Sequence, residues 1–389
     1  MKIALIRGPS LTRWELQNFA PLAPQHQLSA FVTASSPEIP QPSRVCDIHR
    51  LFWPDVWIPA GRARWFFNGI CSRMLGFSYH LRDLTKRLKG FDILHALETH
   101  NTHSYQAALA RNAYGGRLVI TVWETIPGRG ESHPLRTARK RFVTRQADAF
   151  LAVTQRTRQM LLKEGVEDRR IHVIPMGIDL THFNPRVHRQ GYRDAWGCRS
   201  EDFVVLCVAR LVPEKGVDHL IQAALSLRRE NRAQPLQLIL AGDGPKRKVW
   251  ESWVIREGAA EYIRFIGQQP YDQMPRVLAS ADALVLPSIP THFWEEQFGY
   301  ALVEAMAMGL AVVSTQSGAI PEVTGDAAML VPPGSSLALA EALAGLSADA
   351  SKRRAFGERG MARAALLYDS RNIAKQLEQL YVTLIGVSR

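Results

Sequence analysis

Residues 203–224, with the sequence FVVLCVARLVPEKGVDHLIQAA, join an apolar run to an amphipathic segment through a short polar loop. The run Phe203–Val208 has the length and composition of a buried strand, and from Val217 onward apolar residues recur at helical spacing. The loop carries two cations, Arg210 and Lys215, and one glycine. A buried strand followed directly by an amphipathic helix is the repeating unit of a parallel α/β sheet. This stretch therefore decides the fold class.

The same alternation extends along the chain in both directions. Before the quoted stretch, strands are predicted at residues 2–6, 28–32, 93–95, 118–122, 150–153 and 171–174, with helices at 101–111 and 136–147. After it, strands are predicted at 236–241, 263–266, 283–286, 311–314 and 328–331, with helices at 246–257, 271–280, 299–308 and 337–346. The pattern predicts two doubly wound domains in tandem, with a ligand in the cleft between them.

The domain junction is predicted where the alternation stops. Residues 177–200 collect turn-forming and charged residues and contain no strand-length apolar run. We therefore predict a first domain over residues 1–185, a second over residues 200–368 and a final helix within residues 369–389. The sequence leaves open whether this helix packs on the second domain or crosses back to the first.

The net positive charge lies entirely in the first half. The 389 residues carry a formal charge of +12, but residues 1–190 hold 27 Lys and Arg against 14 Asp and Glu, a net +13, and the remainder is −1. This asymmetry indicates an anionic partner for the first half, such as phosphate groups, an acidic membrane surface or nucleic acid.

The cysteines and the apolar runs indicate a cytoplasmic location. The four cysteines are scattered without a C-x-x-C pair, which argues against a disulfide framework and a zinc site. No stretch reaches the roughly 18 uncharged apolar residues of a membrane span. The opening run MKIALI is too short for the apolar region of a signal peptide and is predicted to be a buried strand.

The densest polar constellation is EEQFGYALVEAMAMG at residues 295–309. Glu296 precedes a predicted helix, and Glu304 lies about two turns further along. The helix start presents unpaired N–H groups, those of Phe298, Gly299 and Tyr300, which form a potential anion site. A carboxylate accepts hydrogen bonds from hydroxyl groups and repels phosphate. Two carboxylates beside an anion site therefore suit a sugar nucleotide. The alternative is that these glutamates are solvated helix charges.

Two further loops carry candidate ligand-binding residues. Arg210 offers a planar fork and Lys215 a point charge at the carboxyl end of a strand, where open parallel sheets bind ligands. The alternative is that they pair with neighbouring carboxylates, Glu214 or Asp218. Gly8, at the end of the first strand, allows a ligand to approach the backbone closely. It is not part of a G-x-G-x-x-G motif, so a dinucleotide site has no support.

These motifs resemble the retaining glycosyltransferases of glycosyltransferase family 4, which adopt the GT-B fold of two facing Rossmann-like domains. The matching stretches, mostly within residues 208–334, are VARLVPEKGVDHLIQAA, LILAGDGP, RFIGQQP, ADALVLPS, EEQFGYALVEAMAMGLAVVST and GAIPEVTGDAAMLVPPG. The first half is similar more loosely, through the glycine after its first strand and through ILHALE, VITVWET, ADAFLAVT and HVIPMGID.

The resemblance implies a role for each matching position. Arg210 and Lys215 would neutralise the donor pyrophosphate, and Glu304 would hold the nucleotide ribose. Glu296 would lie beside the hydroxyls and anomeric carbon of the transferred sugar. Further positions implied to bind the sugar, the phosphates or the base are Gln297, Phe298, Gly299, Tyr300, Gly267 and Gly8.

The sequence departs from the family pattern at two places. Many members have a histidine after the VxTV strand, where this chain has Trp123 followed by Glu124. Candidates for the acceptor and sugar side are therefore Glu124 and His103, with His95 and His100 as further histidines nearby. The segment VIPMGID has methionine where asparagine is frequent, which we expect to be a mild change in the hinge region.

The reaction implied by the resemblance is transfer of a hexose from a UDP-sugar or GDP-sugar to an acceptor hydroxyl, with retention at the anomeric carbon. Because the sequence has no D-x-D pair, we expect no metal cofactor, and the leaving-group charge would be met by Arg210, Lys215 and helix-end amides. Same-face attack, in which the departing phosphate deprotonates the acceptor, and double displacement both remain open.

Two other function classes were weighed. A sugar-nucleotide epimerase or hydrolase of the same fold would need a general base, for which Glu124 or His103 are the candidates. A nucleic-acid-binding protein would explain the basic first half. However, the sequence shows no RNA-binding signature, and its second half carries the motifs of a diphosphate site.

Residues 50–90 interleave aromatic and basic side chains. The aromatic residues are Trp53, Trp57, Trp65, Phe66, Phe67 and Phe77, and the basic ones are Arg50, Arg62, Arg64, Arg73, Arg82, Lys86, Arg87 and Lys89. This composition suits an interfacial surface on anionic lipid, and the alternative is a lid whose aromatics are core. We predict a peripheral enzyme at the cytoplasmic membrane face, with a sugar, lipid-linked or otherwise anionic acceptor, acting in cell-envelope glycan, glycolipid or polysaccharide synthesis.

Overall fold

A computed structural model of the protein describes residues 1–36, 45–59, 61–74, 76, 79–131, 133–185, 190–230 and 235–386, without the side chains of residues 62, 65, 73, 190 and 191. The chain divides into two compact units. Unit 1 comprises Met1–Gly177 and Ser370–Arg389, and unit 2 comprises Ile178–Asp369. Each unit is a parallel sheet with helical connections, so the predicted α/β class of two Rossmann-like domains is confirmed.

The described residues of unit 1 form a seven-stranded parallel sheet. Its strands are β1 (Lys2–Gly8), β2 (Gln27–Thr33), β3 (Asp47–Leu51), β4 (Ile93–Leu97), β5 (Arg117–Val122), β6 (Ala149–Ala152) and β7 (Ile171–Val173). The helices that connect them are α1 (Arg13–Leu16), α2 (Arg62–Met74), α3 (Leu84–Arg87), α4 (Thr102–Tyr114), α5 (Pro134–Gln146) and α6 (Gln155–Lys163). The central strands β1 and β4 are buried along most of their length, as expected for a sheet covered on both faces.

Unit 2 contains a six-stranded parallel sheet in its described residues. After helix α7 (Gln190–Arg193), its strands are β8 (Phe203–Val208), β9 (Leu236–Ala241), β10 (Ile263–Gly267), β11 (Ala283–Leu286), β12 (Ala311–Thr315) and β13 (Ala328–Val331). Its other helices are α8 (Val217–Arg229), α9 (Arg247–Arg256), α10 (Met274–Ala279), α11 (Tyr300–Ala307), α12 (Ile320–Thr324), α13 (Ser336–Ala348) and α14 (Ala350–Leu367).

Strand order reverses once in each sheet. In unit 1 the order is β3-β2-β1-β4-β5-β6-β7, so the chain leaves β1 in one direction and returns on its other side at β4. In unit 2 the order is β10-β9-β8-β11-β12-β13, and the reversal lies between β8 and β11. Connections diverge at such a point and leave a crevice outside the carboxyl ends of the two strands. The fold therefore predicts one ligand-binding edge in each unit.

Strand β3 is absent from the sequence prediction. Its sequence DIHRL contains three polar residues and only two apolar ones, and of these five residues only Leu51 is buried. Among the strands that the structure describes, it pairs with β2 alone and lies at the edge of the sheet. Because an edge strand buries little apolar surface, it lacks the apolar run by which the other strands were found.

The final helix, α15 (Ser370–Gly386), packs in unit 1. Its buried residues recur at helical spacing and join the core beside β1 and β4; they are Ile373, Ala374, Leu377, Leu380 and Tyr381. Inside that core the hydroxyl of Tyr381 lies 2.7 Å from His95 Nδ1. The other ring nitrogen of His95 lies 2.6 Å from the Thr121 hydroxyl, so this histidine joins β4, β5 and α15.

The aromatic segment around α2 is divided between core and surface. Trp53 is buried and donates to Asn68 Oδ1 at 2.7 Å. In contrast, Trp57 is 77% exposed, and Phe66, Ile70 and Met74, spaced four residues apart on α2, are 64%, 40% and 72% exposed. Phe77 and the side chains of Trp65, Arg62 and Arg73 lie outside the described part of the chain. None of the described helices combines the length and apolar character needed to cross a bilayer.

The anchoring of α15 can be tested by Tyr381→Phe. This change removes the hydroxyl and leaves His95 Nδ1 buried without its partner, which costs about 1–3 kcal/mol. We expect the free energy of unfolding, measured by urea titration, to fall by that amount. The exposed Tyr114→Phe is the control and should stay within about 0.5 kcal/mol of the wild type. Equal values for the two variants would contradict this role of Tyr381.

Candidate functional site

A buried ion pair lies at the point where strand order reverses in unit 2. Lys215, in the loop after β8, donates to Glu296 Oε2 at 2.6 Å, and both side chains are largely buried. The Ser288 hydroxyl, after β11, donates to the same oxygen at 2.6 Å. The ring of Trp294 covers the ammonium group, whose nitrogen is 4.6 Å from the ring centroid. The structure thus brings together two of the three predicted catalytic residues.

Two glycines allow the loops of this cluster to pack closely. Gly216 has a φ of 62°, and a Cβ atom there would lie 2.1 Å from the carbonyl oxygen of Pro287. Gly318 has a φ of 56°, and its Cβ atom would lie 2.1 Å from the carbonyl oxygen of Glu296. A side chain at either position would require the backbone to move. The glycines therefore position Lys215 and Glu296.

Arg210 stands apart from the buried pair. Its side chain is 67% exposed and lies 3.6 Å from Glu214, four residues away. Such an exposed ion pair contributes about 0–1 kcal/mol. The pairing with Glu214 that the sequence offered as an alternative is present, but it is too weak to prevent Arg210 from binding an anion.

The helix after Glu296 starts one residue later than predicted. Helix α11 begins at Tyr300, with Gly299 as its N-cap at a φ of 82°. Gln297 is half-buried, and Phe298 is buried against the ring of Tyr368. The loop that carries Glu296 leads directly into the first turn of α11. The N-terminal amides of this helix and the ion pair therefore belong to one site.

Glu304 is buried on α11, and its hydrogen-bond partner is the side chain of Tyr271. Burial raises the pKa of the Glu304 carboxyl to about 7, although the Tyr271 bond acts in the opposite direction. Near neutral pH this group is therefore partly protonated and can both donate and accept a hydrogen bond. Gly267, at the end of β10 with a φ of 71°, is close to Arg247, whose Nη1 would be 3.3 Å from an added Cβ.

In unit 1, Gly8 and His103 are in contact. Gly8 ends β1 with a φ of 54°, and a Cβ atom added there would lie 2.7 Å from His103 Nδ1. His103 is 2% exposed, and neither of its ring nitrogens has a hydrogen-bond partner among the described residues. Burial, with a smaller contribution from Arg7, lowers the pKa of His103 to about 3, so the ring is neutral at pH 7.

The other acceptor-side candidates have different surroundings. Glu124 follows β5 and lies 3.5 Å from Arg129. The two hydrogen bonds of His95 and its complete burial assign it to the core. Burial and the nearby Arg136 lower the pKa of His100 to about 3.

The sequence did not indicate four residues that lie at the candidate sites of the two units. Ser288 and Trp294 lie within the loop before Glu296 and contact the ion pair, and Tyr271 contacts Glu304 from a distant segment. Glu98, directly after β4, is a buried carboxyl in unit 1. Ser288 and Glu98 follow predicted strands, and this position could have marked them as candidate ligand-binding residues. No feature of the sequence marks Tyr271 in this way. Within the described residues, no three His, Cys, Asp or Glu side chains are grouped to hold a metal ion.

Comparison with protein families matches most of the chain. Residues 189–363 match the family model described as glycosyl transferases group 1. Residues 22–182 match the model described as glycosyltransferase family 4.

Two curated relatives are mycobacterial. The chain is 29% identical over 250 residues to an MMP alpha-(1->4)-mannosyltransferase of Mycolicibacterium hassiacum, covering 63% of this chain and 56% of that protein. It is 30% identical over 263 residues to the GDP-mannose-dependent alpha-(1-6)-phosphatidylinositol monomannoside mannosyltransferase of Mycolicibacterium smegmatis, covering 65% of this chain and 66% of that protein. The matched stretches thus span between about half and two thirds of these relatives.

Solved structures share the fold. Anabaena HepE, solved in complex with UDP, superposes with a TM-score of 0.77 at 19% identity, covering 98% of this chain and 100% of that chain. A sucrose-phosphate synthase from Thermosynechococcus elongatus superposes with a TM-score of 0.75 at 21% identity, and both chains are covered completely. The fold is that of the GT-B glycosyltransferases. The chain belongs to glycosyltransferase family 4.

The buried state of Glu304 can be tested by Glu304→Gln. An acid whose pKa is raised on folding loses stability as pH rises from its unfolded pKa to its folded one. Here that window runs from 4.5 to about 7. Relative to the glutamine variant, we expect the wild type to lose about 3 kcal/mol of unfolding free energy across this window and none above it.

Urea unfolding of both proteins between pH 4.5 and 8 measures this difference. The exposed Glu341→Gln serves as the control, and its difference from the wild type should not vary with pH. A pH-independent difference for Glu304→Gln would contradict the assignment.

Proposed function

We propose that this protein is a retaining glycosyltransferase that moves a hexose from a UDP-sugar or GDP-sugar to an acceptor hydroxyl. The observation that carries the proposal is the cluster of Lys215, Glu296 and Ser288 at the ligand-binding edge of unit 2. It combines a desolvated cation with a carboxylate, beside the start of a helix. Those are the groups that a diphosphate joined to a sugar requires.

Each part of the donor would have its own contacts in unit 2. Arg210 and Lys215 bind the pyrophosphate, together with the amides from Phe298 to Tyr300. Glu304 binds a ribose hydroxyl, which its partly protonated carboxyl suits. Glu296 binds hydroxyls of the sugar, while Gly267 and its neighbour Arg247 lie on the base side.

Charge compensation supports this arrangement. Lys215 is neutralised by Glu296, and Arg210 lies beside Glu214. A bound diphosphate would bring negative charge that both cations can compensate, and Glu296 would then be available to accept from sugar hydroxyls. In the reaction, the bond from the anomeric carbon to the donor phosphate oxygen breaks, and its electron pair leaves with the nucleoside diphosphate. The acceptor oxygen forms the new bond, and its proton passes to the departing phosphate.

The family and the charge of the first half of the chain support an acceptor that is lipid-linked or otherwise anionic. The M. smegmatis relative is named for a phosphatidylinositol monomannoside acceptor and a GDP-mannose donor. A net +13 over residues 1–190 favours an acceptor that carries phosphate or lies on an acidic membrane. Synthesis of a cell-envelope glycan, glycolipid or polysaccharide fits both features. The hydrolase or epimerase alternative is less supported, because a His103 pKa of about 3 makes this residue a weak base.

Membrane binding is proposed for the exposed face of α2 and the turn before it. Trp57, Phe66, Ile70 and Met74 expose apolar side chains there, and the exposed Arg82 lies in the same basic segment. The occupant we propose is an anionic bilayer at its cytoplasmic face, because aromatic residues can insert at the headgroup level while arginines attract acidic lipid.

Nucleotide binding tests the donor site. We expect calorimetry with UDP, GDP and ADP to show binding of UDP or GDP. Arg210→Ala and Lys215→Ala should each weaken that binding by about tenfold or more, since a charge-assisted hydrogen bond contributes about 1.5–3 kcal/mol. With the sugar nucleotide as donor, proton NMR of the first product should show the donor's anomeric configuration.

Arg229→Ala, which breaks an exposed ion pair with Glu257 in the same unit, is the matched control and should bind the nucleotide normally. Unchanged affinity in the double variant of Arg210 and Lys215 would show that the diphosphate binds elsewhere. Inversion in the product would contradict the retaining mechanism.

Membrane binding is tested by co-sedimentation with phosphatidylcholine vesicles, with and without phosphatidylglycerol. We expect binding only to the anionic vesicles, decreasing with added salt. Replacing any one of Trp57, Phe66 and Met74 by serine should weaken it by about tenfold or more, because each inserted apolar side chain contributes about 1.5–3 kcal/mol. Ile255→Ser, at an exposed apolar residue of unit 2, is the control. Equal binding to both vesicles, or to neither, would contradict the proposal.

A further inference from the structure

The edge of unit 1 where strand order reverses carries a set of buried polar groups that the donor site does not use. Strand β1 ends at Gly8, and its neighbour β4 ends at Leu97, directly before Glu98. The equivalent edge of unit 2, between β8 and β11, carries the cluster of Lys215 and Glu296. Ligands of open parallel sheets bind outside these strand ends. A second ligand-binding edge is therefore expected at Glu98.

The backbone of Glu98 is held in an unfavourable conformation. Its φ is 62°, in the left-handed region that residues with a side chain rarely adopt. The Glu98 N–H donates to the carbonyl oxygen of Thr121 at 2.8 Å, which ties this conformation to β5. Strained residues of this kind are concentrated at functional sites.

The carboxyl group of Glu98 is buried with only one oxygen bonded. The residue is 9% exposed, and its Oε1 accepts from the Trp123 N–H at 2.7 Å, while the Glu124 N–H also donates to the carboxyl group. Its Oε2 is buried and has no hydrogen-bond partner among the described residues. Since nearly all buried polar atoms in proteins are hydrogen-bonded, an unbonded carboxyl oxygen at a ligand-binding edge indicates a partner supplied by the ligand.

The chemistry of the edge favours a hydroxyl group as that partner. Burial, with the nearby Glu124 and the more distant Glu164, raises the pKa of Glu98 to about 8, so at pH 7 the carboxyl is mostly neutral. His103 at the same edge is also neutral, and neither of its nitrogens has a partner among the described residues. A neutral carboxyl and a neutral imidazole each donate and accept one hydrogen bond. A hydroxyl group, which also donates and accepts, matches both functions.

We propose that Glu98 binds a hydroxyl group of the acceptor through its Oε2 atom. The proposal rests on the proposed function, because it assigns the acceptor of that reaction to unit 1. Because Oε2 is buried, binding of the acceptor would require the carboxyl group to turn toward it. Glu98 would then be a specificity residue that recognises a sugar or cyclitol ring.

Two substitutions separate this role from a structural one. Glu98→Gln keeps the size of the side chain and offers both hydrogen-bond donors and an acceptor oxygen, as the neutral carboxyl does. Glu98→Gly removes the side chain, and glycine adopts a φ of 62° without strain, so the fold is retained. Glu167→Ala, at an exposed glutamate of the same unit, is the control.

The test is saturation-transfer NMR on the full chain with UDP or GDP present, using myo-inositol, methyl α-D-mannopyranoside and methyl α-D-glucopyranoside as probes. We expect at least one probe to bind the wild type, the control and Glu98→Gln with similar Kd values. Its Kd should rise at least tenfold in Glu98→Gly. Calorimetric Kd values for the nucleotide should match the wild type in all variants. Melting temperatures should also match, except for a small fall in Glu98→Gly, in which the Trp123 N–H loses its acceptor.

The proposal is overturned if Glu98→Gly binds the probe as the wild type does, if no probe binds the wild type, or if Glu98→Gln loses as much affinity as Glu98→Gly. Loss of nucleotide binding and a lowered melting temperature in Glu98→Gly would instead assign Glu98 a structural role and also overturn it. Failure of the donor assignment gives a different result. The wild type would then bind neither UDP nor GDP, while probe binding would still depend on Glu98.

Discussion

The reversal of strand order in a parallel sheet is the constraint from which the chemistry of both units follows. Side-by-side parallel strands need crossover connections, and these diverge only where the chain changes direction across the sheet. In unit 2 that point lies between β8 and β11, and in unit 1 between β1 and β4. Polar side chains after these strands can be buried at the sheet edge and still remain near a crevice that admits a ligand.

Burying charges at such an edge requires local compensation. Lys215 and Glu296 neutralise each other, and the Ser288 hydroxyl satisfies the carboxylate further. Glu304 and Glu98, whose hydrogen-bond partners among the described residues include no cation, hold their protons to higher pH than an exposed glutamate does. The ion pair and the protonated carboxyl groups differ in the ligands that they can bind. A buried ion pair can exchange its partner for a phosphate, whereas a protonated carboxyl suits the neutral hydroxyls of ribose and acceptor.

Prediction from sequence succeeded where local periodicity carried the information. The strand and helix at residues 203–224 appear as β8 and α8, and the α/β class of both units follows from the same alternation. Prediction failed at β3, because an edge strand buries too little apolar surface to show a run. It was also incomplete around α2, where composition alone did not separate the buried Trp53 from the exposed Trp57. Tyr271 was missed because its partner Glu304 lies 33 positions away in the sequence.

The sequence by itself determined the fold class, the family resemblance and the residue types at the strand ends, since each of these is written in short segments of the chain. Only the tertiary structure decided which charges are paired, which carboxyls are neutral and where the final helix packs. These properties depend on burial and on contacts between distant segments, such as Lys215 with Glu296 and Tyr381 with His95. Local sequence determines the secondary structure, but the protonation and hydrogen bonding of a side chain depend on everything that surrounds it in the folded chain.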